Sequence, residues 1–216
     1  MGEAWLNPLK PVLEIVADFH FYGQAASHEL ALILAGSVQT IWNEPCYSVF
    51  IDDQAYRVEF KMTGIYRPDL EELEVLSNVD PRRNYFRIEF QSDAGLCMMD
   101  ETPGNTGFLL FDQVQPPSTT MAHEFGHSIG LHHPRDLDQR GKGQPGIMCP
   151  RGTLVDAIYQ YDPAALAMTP GGTLHPAKRN VTLADLDALN LSDLLFDPTG
   201  RAVVGGFSSV WHEAWG

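Results

Sequence analysis

Cysteine is scarce in this chain of 216 residues. Cys46, Cys97 and Cys149 are the three, so at least one thiol stays unpaired and no dense disulfide framework can form. That usage suits synthesis in a reducing compartment. Basic residues are also few, 14 against 28 acidic. The formal charge of -14, with no local lysine or arginine cluster to offset it, argues against nucleic acid and membrane surfaces as partners. Long apolar runs are missing: the longest, Leu30 to Ala35, falls far short of the roughly 20 residues a membrane span needs. Met1 to Pro8 lacks the basic start and apolar stretch of a signal peptide, and Glu14 and Asp18 interrupt the next apolar run. Leu6 stands where myristoylation would need Ser or Thr. The expectation is a soluble chain made in the cytoplasm, with leaderless secretion left open. Its oligomeric state is not legible.

What is present is a core and a motif. At 44% hydrophobic the chain can bury one domain's interior, and it shows no internal repeat. The motif is His123-Glu124-Phe125-Gly126-His127-Ser128-Ile129-Gly130-Leu131-His132-His133. Residues i and i+4 of a helix share a face, so His123 and His127 can aim imidazole nitrogens at one point roughly 2 Å from each, the zinc–nitrogen length. Glu124 is rotated about 100° from His123. It cannot easily join them as a ligand but can reach a water on the metal's open side. Gly130 suits the left-handed residue that ends a helix, and the turn can bring His133 back to the metal. Three neutral imidazoles with one open position are the arrangement of a catalytic zinc rather than a structural one.

This pattern, H-E-x-x-H-x-x-G-x-x-H, resembles the metzincin signature. Five fixed positions should coincide by chance in on the order of one in a hundred thousand chains this long, so the resemblance is specific. The family also has a Met-turn, whose methionine packs beneath the imidazoles. Gly146-Ile147-Met148-Cys149-Pro150 resembles it, which assigns Met148 that place. Where some members carry a tyrosine two residues later, this chain has Pro150; Tyr159 or Tyr161 could lean in instead, although a structural role is the simpler reading of either. Pro134, after the third histidine, leaves the subfamily open.

Along the chain, Val12 to Tyr22 reads as a buried strand, and Ser27 caps a helix over His28 to Asn43 with Leu30, Leu34, Val38 and Ile41 on one face. Tyr47–Ile51 and Tyr56–Ile65 are strands around Asp52-Asp53, Asp69–Glu74 is a helical turn, and Tyr85–Phe90 alternates as a strand. Leu96–Asp100 and Phe108–Phe111 form a hairpin. Ser118 or Thr119 opens the motif helix, and Thr182-Leu183-Ala184-Asp185 is a capping box opening a last helix to about Leu195. The fold class expected is α/β (α+β), and strand followed by helix suggests parallel pairing.

The resemblance implies more: a metzincin-like zincin with a twisted mixed sheet of about five strands, an antiparallel edge strand, two long helices above the cleft and one C-terminal helix below. It implies a single catalytic domain over 1–216, with an upper lobe of 1–133 and a lower lobe of 134–216. It also maps extended peptide substrate onto the edge strand at Leu96 to Glu101, where unpaired main-chain groups can take an added strand.

The resulting reading is a zinc endopeptidase with Zn²⁺ on His123, His127 and His133 and Glu124 as general base, with a microbial effector or toxin as one setting for it. Two alternatives stay open: a catalytically silent, zinc-stabilised peptide-binding protein, and a narrow-specificity processing protease or amidase. Other candidates carry blander readings. His132 neighbours the third ligand but misses the motif's spacing. His28-Glu29 lacks a second histidine, and His20, His175 and His212 lack partners at useful spacing. Cys149 reads as a small buried hydrophobe, and Asp136 and Asp138 as a solvated loop without calcium.

Overall fold

One mixed sheet organises residues 1–91 and 95–213, the part of the chain this computed structural model describes. Its eight strands are β1 (Gly2–Leu6), β2 (Val12–Tyr22), β3 (Ser48–Ile51), β4 (Gln54–Tyr66), β5 (Arg83–Glu89), β6 (Met98–Met99), β7 (Thr106–Leu110) and β8 (Arg201–Val204). The main path runs β3-β4-β2-β5-β7-β6. Along one edge β2 pairs parallel with β4. Its other edge divides: the Leu13 to Val16 stretch pairs antiparallel with β1, and Asp18 to Tyr22 pairs parallel with β5. β8 extends the β1 side.

Val12–Tyr22 becomes the central strand because its apolar, β-branched and aromatic residues suit burial: Leu13, Ile15, Ala17, Phe19 and Phe21 are wholly inaccessible on one face, and Val12, His20 and Tyr22 are buried on the other. α1 (His28–Asn43) starts where expected, with the Ser27 Oγ accepting from the Leu30 amide at 3.1 Å. Its Leu30, Leu34, Val38 and Trp42 are buried against the sheet. β3 and β4 form a hairpin whose two turn residues, Asp52 and Asp53, both have positive φ, as a two-residue turn between twisted strands requires.

Several expectations need correcting. The sheet has eight strands rather than about five, because β1, β6 and β8 are short and β1 finds its partner β8 at the far end of the chain. β5 does not alternate; it is buried on both faces between β2 and β7. Only α1 is long. The helical turn expected at Asp69–Glu74 lies slightly later, as α2 (Glu72–Leu76), and a further turn, α3 (Phe111–Val114), follows β7. The motif helix, α4 (Thr120–Ser128), has nine residues, since Gly130 stops it. The last helix, α5 (Leu183–Asp187), has the Thr182–Asp185 capping box but ends well before Leu195: Asn190 takes a left-handed conformation and a 3₁₀ turn replaces further helix.

α4 is fastened to this frame by its own motif residues. Phe125 is fully buried and packs edge-on against Phe19, Trp42 and Phe60, with ring centroids 5.4, 5.6 and 6.4 Å away. The Trp42 indole donates to the Ala122 carbonyl at 3.1 Å, joining α1 to α4 through a satisfied buried donor. The residues between the motif's fixed positions therefore set where the histidines stand.

Candidate metal centre

α4 begins with a shared cap. Thr119 holds the N-cap position, but the Thr120 amide donates to the Ser118 Oγ at 3.2 Å, while the Thr119 hydroxyl donates to the Pro176 carbonyl at 2.6 Å. The helix ends in a Schellman arrangement: the Gly130 amide donates to the His127 carbonyl at 3.0 Å and the Leu131 amide to the Gly126 carbonyl at 2.9 Å. Gly130 has φ +103, which no β-carbon-bearing residue adopts comfortably. That turn carries His133 back over the helix.

The Nε2 atoms of His123, His127 and His133 form a triangle with sides of 3.2, 3.0 and 3.1 Å. The opposite ring nitrogens are anchored: Nδ1 of His123 lies 2.7 Å from the Ile147 carbonyl, and Nδ1 of His127 lies 2.7 Å from the Leu131 carbonyl. A carbonyl only accepts, so each of these Nδ1 atoms carries the proton and each Nε2 presents a bare lone pair. Burial keeps the rings neutral, holding His123 well below the ordinary imidazole range, His127 down at about 4 and His133 lowered in the same direction. Lone pairs converging at such separations repel unless a cation lies between them. A centre about 2 Å from each nitrogen is the length a zinc–imidazole bond needs. The three histidines can hold a metal ion.

Glu124 is buried, 5% exposed, beside this triangle. Desolvation pushes its carboxyl up to about 7, against the pull of the Arg179 and Arg151 charges and a hydrogen bond from the Met99 amide. A carboxyl so placed titrates near neutrality, where a group that takes and returns a proton works best.

Two openings meet here. One, a cavity of about 500 Å³, is lined by the three histidines, Glu124 and the β6 residues Met98 and Met99. The other, about 270 Å³, is lined by His123, Glu124 and His133 together with Thr120, Arg151 and Arg179. The Arg179 guanidinium, 5% exposed, donates to Thr119 Oγ1 at 2.9 Å and to the Cys149 carbonyl at 3.1 Å. Sequence reasoning missed both arginines. Isolated basic residues give no local signal.

Met148 is 4% exposed, and its Sδ occupies the space a β-carbon on Gly126 would need. Its turn closes by the Cys149 amide donating to the Gly146 carbonyl at 3.1 Å, and the same turn supplies the Ile147 carbonyl to His123. Of the other candidates, His132 is exposed and lies outside the triangle. Tyr159 packs with Cys149, Val155 and Leu174, and the Tyr161 ring lies 4.8 Å from that of His175; neither lines the two openings. Asp136 pairs with Lys142 and Asp138 with Arg140. His175 accepts from the Ala177 amide, and His212 pairs with Asp100 at 3.0 Å. The edge strand expected over Leu96 to Glu101 is only Met98–Met99, antiparallel to β7, and β6 ends the sheet on that side.

A mixed α/β frame with few helices and a tris-histidine site is the class these observations define. No protein-family model matches the chain, and no curated protein matches it significantly. Among solved structures, the crystal structure of an archaemetzincin from Methanopyrus kandleri is similar over 82% of this chain and 95% of that chain, with 11% identity and a TM-score of 0.38. A likeness at that level carries no argument about the chemistry, which rests on the geometry above.

Proposed function

We propose that this protein is a zinc-dependent endopeptidase of metzincin type, acting on a peptide or protein substrate. The convergence of three lone-pair-bearing Nε2 atoms beside a buried glutamate carries this reading. Zinc held there would supply Lewis acidity toward water and a scissile carbonyl. Glu124 takes the proton from the attacking water and returns it to the leaving nitrogen, with Met98 and Met99 of the edge strand lining the same cavity. A peptide lies along β6, exchanging main-chain hydrogen bonds with Met98–Met99. Met148 supports the metal-binding rings from beneath as a Met-turn residue, acting through Gly126 and the Ile147 carbonyl. A microbial effector or toxin is a biological setting compatible with this chemistry.

Incubation with a peptide library, with and without chelator, and mass-spectrometric mapping of cut sites tests the reading. Cleavage lost with chelator and restored by zinc is expected. Glu124→Gln should keep one bound zinc while cleavage falls by about 10²-fold or more. Cleavage that survives chelation, or full activity in Glu124→Gln, would overturn it; zinc and peptide binding without any cleavage would favour a silent binding protein.

A further inference from the structure

Among the described residues, Arg151 and Arg179 have no carboxylate within 4.0 Å. The chain has 28 acidic residues, so partners were abundant. Both arginines line the 270 Å³ cavity that opens from His123 and His133, and among the described residues Glu124 is the one acid lining it. Two guanidinium charges against one carboxylate leave one positive charge unmatched, before any cation at the histidines is counted. Arg179 is 5% exposed, and every protein acceptor it meets is neutral: Thr119 Oγ1 at 2.9 Å, the Cys149 carbonyl at 3.1 Å and Thr120 Oγ1 at 3.5 Å. Five guanidinium N–H groups against three acceptors leave two donors over. A buried charge without a counter-charge is costly, and a planar donor fork matches a carboxylate in shape. The first turn of α4 reaches the same cavity through Thr120, adding the positive end of a helix dipole.

We propose that this cavity binds a carboxylate of the substrate beside the bond being cut, with Arg151 and Arg179 as the residues that select it. The group is either an acidic side chain near the scissile bond or the free carboxylate at the end of the chain. This deepens the peptidase reading and rests on it for the rest of the ligand. Among the described residues, nothing else lining the cavity would neutralise the two arginines while leaving Glu124 free to move protons.

The test uses pairs of acetylated hexapeptides that differ only by Glu against Gln at one position, or by a free against an amidated C-terminus. Binding to zinc-loaded Glu124→Gln protein is read by calorimetry, and kcat/KM for the same peptides is read on the parent. One carboxylate member should bind and be cut at least tenfold better than its amide twin, and Arg151→Gln should bring that ratio to about one. The pair that shows the ratio tells side chain from chain end. Arg151 is only half-buried, so its variant should fold, which a thermal melt checks; Arg179→Gln is a second variant where it folds. Equal or absent binding of both members of every pair overturns the inference even if peptides are cut. A preference that persists in Arg151→Gln also overturns it. A binding preference without cleavage upholds it and overturns the peptidase reading instead.

Discussion

The thioether of Met148 fills the place where a side chain at Gly126 would begin. One residue lies inside the histidine motif and the other in a turn more than twenty positions on, yet each requires the other's shape. Gly126 stands between His123 and His127 on α4, and Met148 sits in the turn whose Ile147 carbonyl fixes the His123 ring. Glycine in mid-helix costs about 1 kcal/mol relative to alanine. The gain is a helix that can lie against the turn.

Gly126→Ala should therefore destabilise the fold despite its better helix propensity. Met148 is flexible but buried, and displacing it costs about 1–3 kcal/mol, against the roughly 1 kcal/mol regained. Zinc affinity should fall as well, since the displaced turn carries the His123 acceptor. Adding Met148→Ala should recover part of both losses. Urea unfolding and zinc titration on the two single variants and the double measure this; strict additivity would show that the two sites do not communicate.

His133 is exposed at the residue level although its Nε2 completes the triangle. His133→Ala should leave the metal-free melting temperature near that of the parent while abolishing tight zinc binding. In the parent, zinc at a hundredfold excess over its dissociation constant should add about 2.7 kcal/mol of stability. The variant should gain far less. Equal zinc-induced shifts in the two proteins would remove His133 from the ligand set.

Much of this site was legible because its signals are local. His123, Glu124 and His127 stand on one helix, and Gly130 stops it as its conformational freedom implies. What could not be read depends on distant contacts. The Ile147 carbonyl reaches His123 from another segment, Arg179 reaches Thr119 at the start of α4 from 60 positions on, and β1 pairs with β8 across nearly the whole chain. The last helix was overextended because Leu194 and Leu195 continue an apolar pattern, yet Leu195 is 92% exposed and Asn190 has already turned left-handed.

His20 gives a pH dependence unrelated to metal. It is 6% exposed, neither ring nitrogen has a hydrogen-bond partner among the described residues, and burial together with Arg67 and Arg83 lowers it from 6.5 to about 4, against the opposite pull of Asp18 and Glu74. Between those values the unfolded chain binds the proton and the folded chain does not, so stability is full above pH 6.5 and declines as pH falls toward 4. The loss attributable to this residue is at most about 3 kcal/mol. His20→Phe keeps a ring against Tyr85 and should remove that part of the decline. Melting temperatures of both proteins across this range decide it; parallel curves would rule His20 out.

Arg87 and Glu89 form a buried ion pair on β5, 5% and 3% exposed, and the pair organises the chain's last described segment. Arg87 donates to the His212 carbonyl at 2.9 Å and lies over the Tyr22 ring, which stacks on Trp211 with centroids 5.0 Å apart. Removing Glu89 alone leaves a buried guanidinium without its counter-charge, a change that costs about 3–5 kcal/mol, whereas replacing both charges with apolar residues of similar size is often neutral. Glu89→Ala should accordingly lower the urea midpoint sharply and expose the segment after Gly206 to protease, because the charge that orients Arg87 toward His212 is gone. Arg87→Met with Glu89→Leu should restore the midpoint but not the protection, since it regains packing without the bond to His212. A double variant as protected as the parent would mean that Trp211 stacking, the His212–Asp100 pair and the bonds from Ser208, Ser209 and Val210 to Asn105 and Thr106 hold the segment down without Arg87, and the ion pair would then serve the sheet alone.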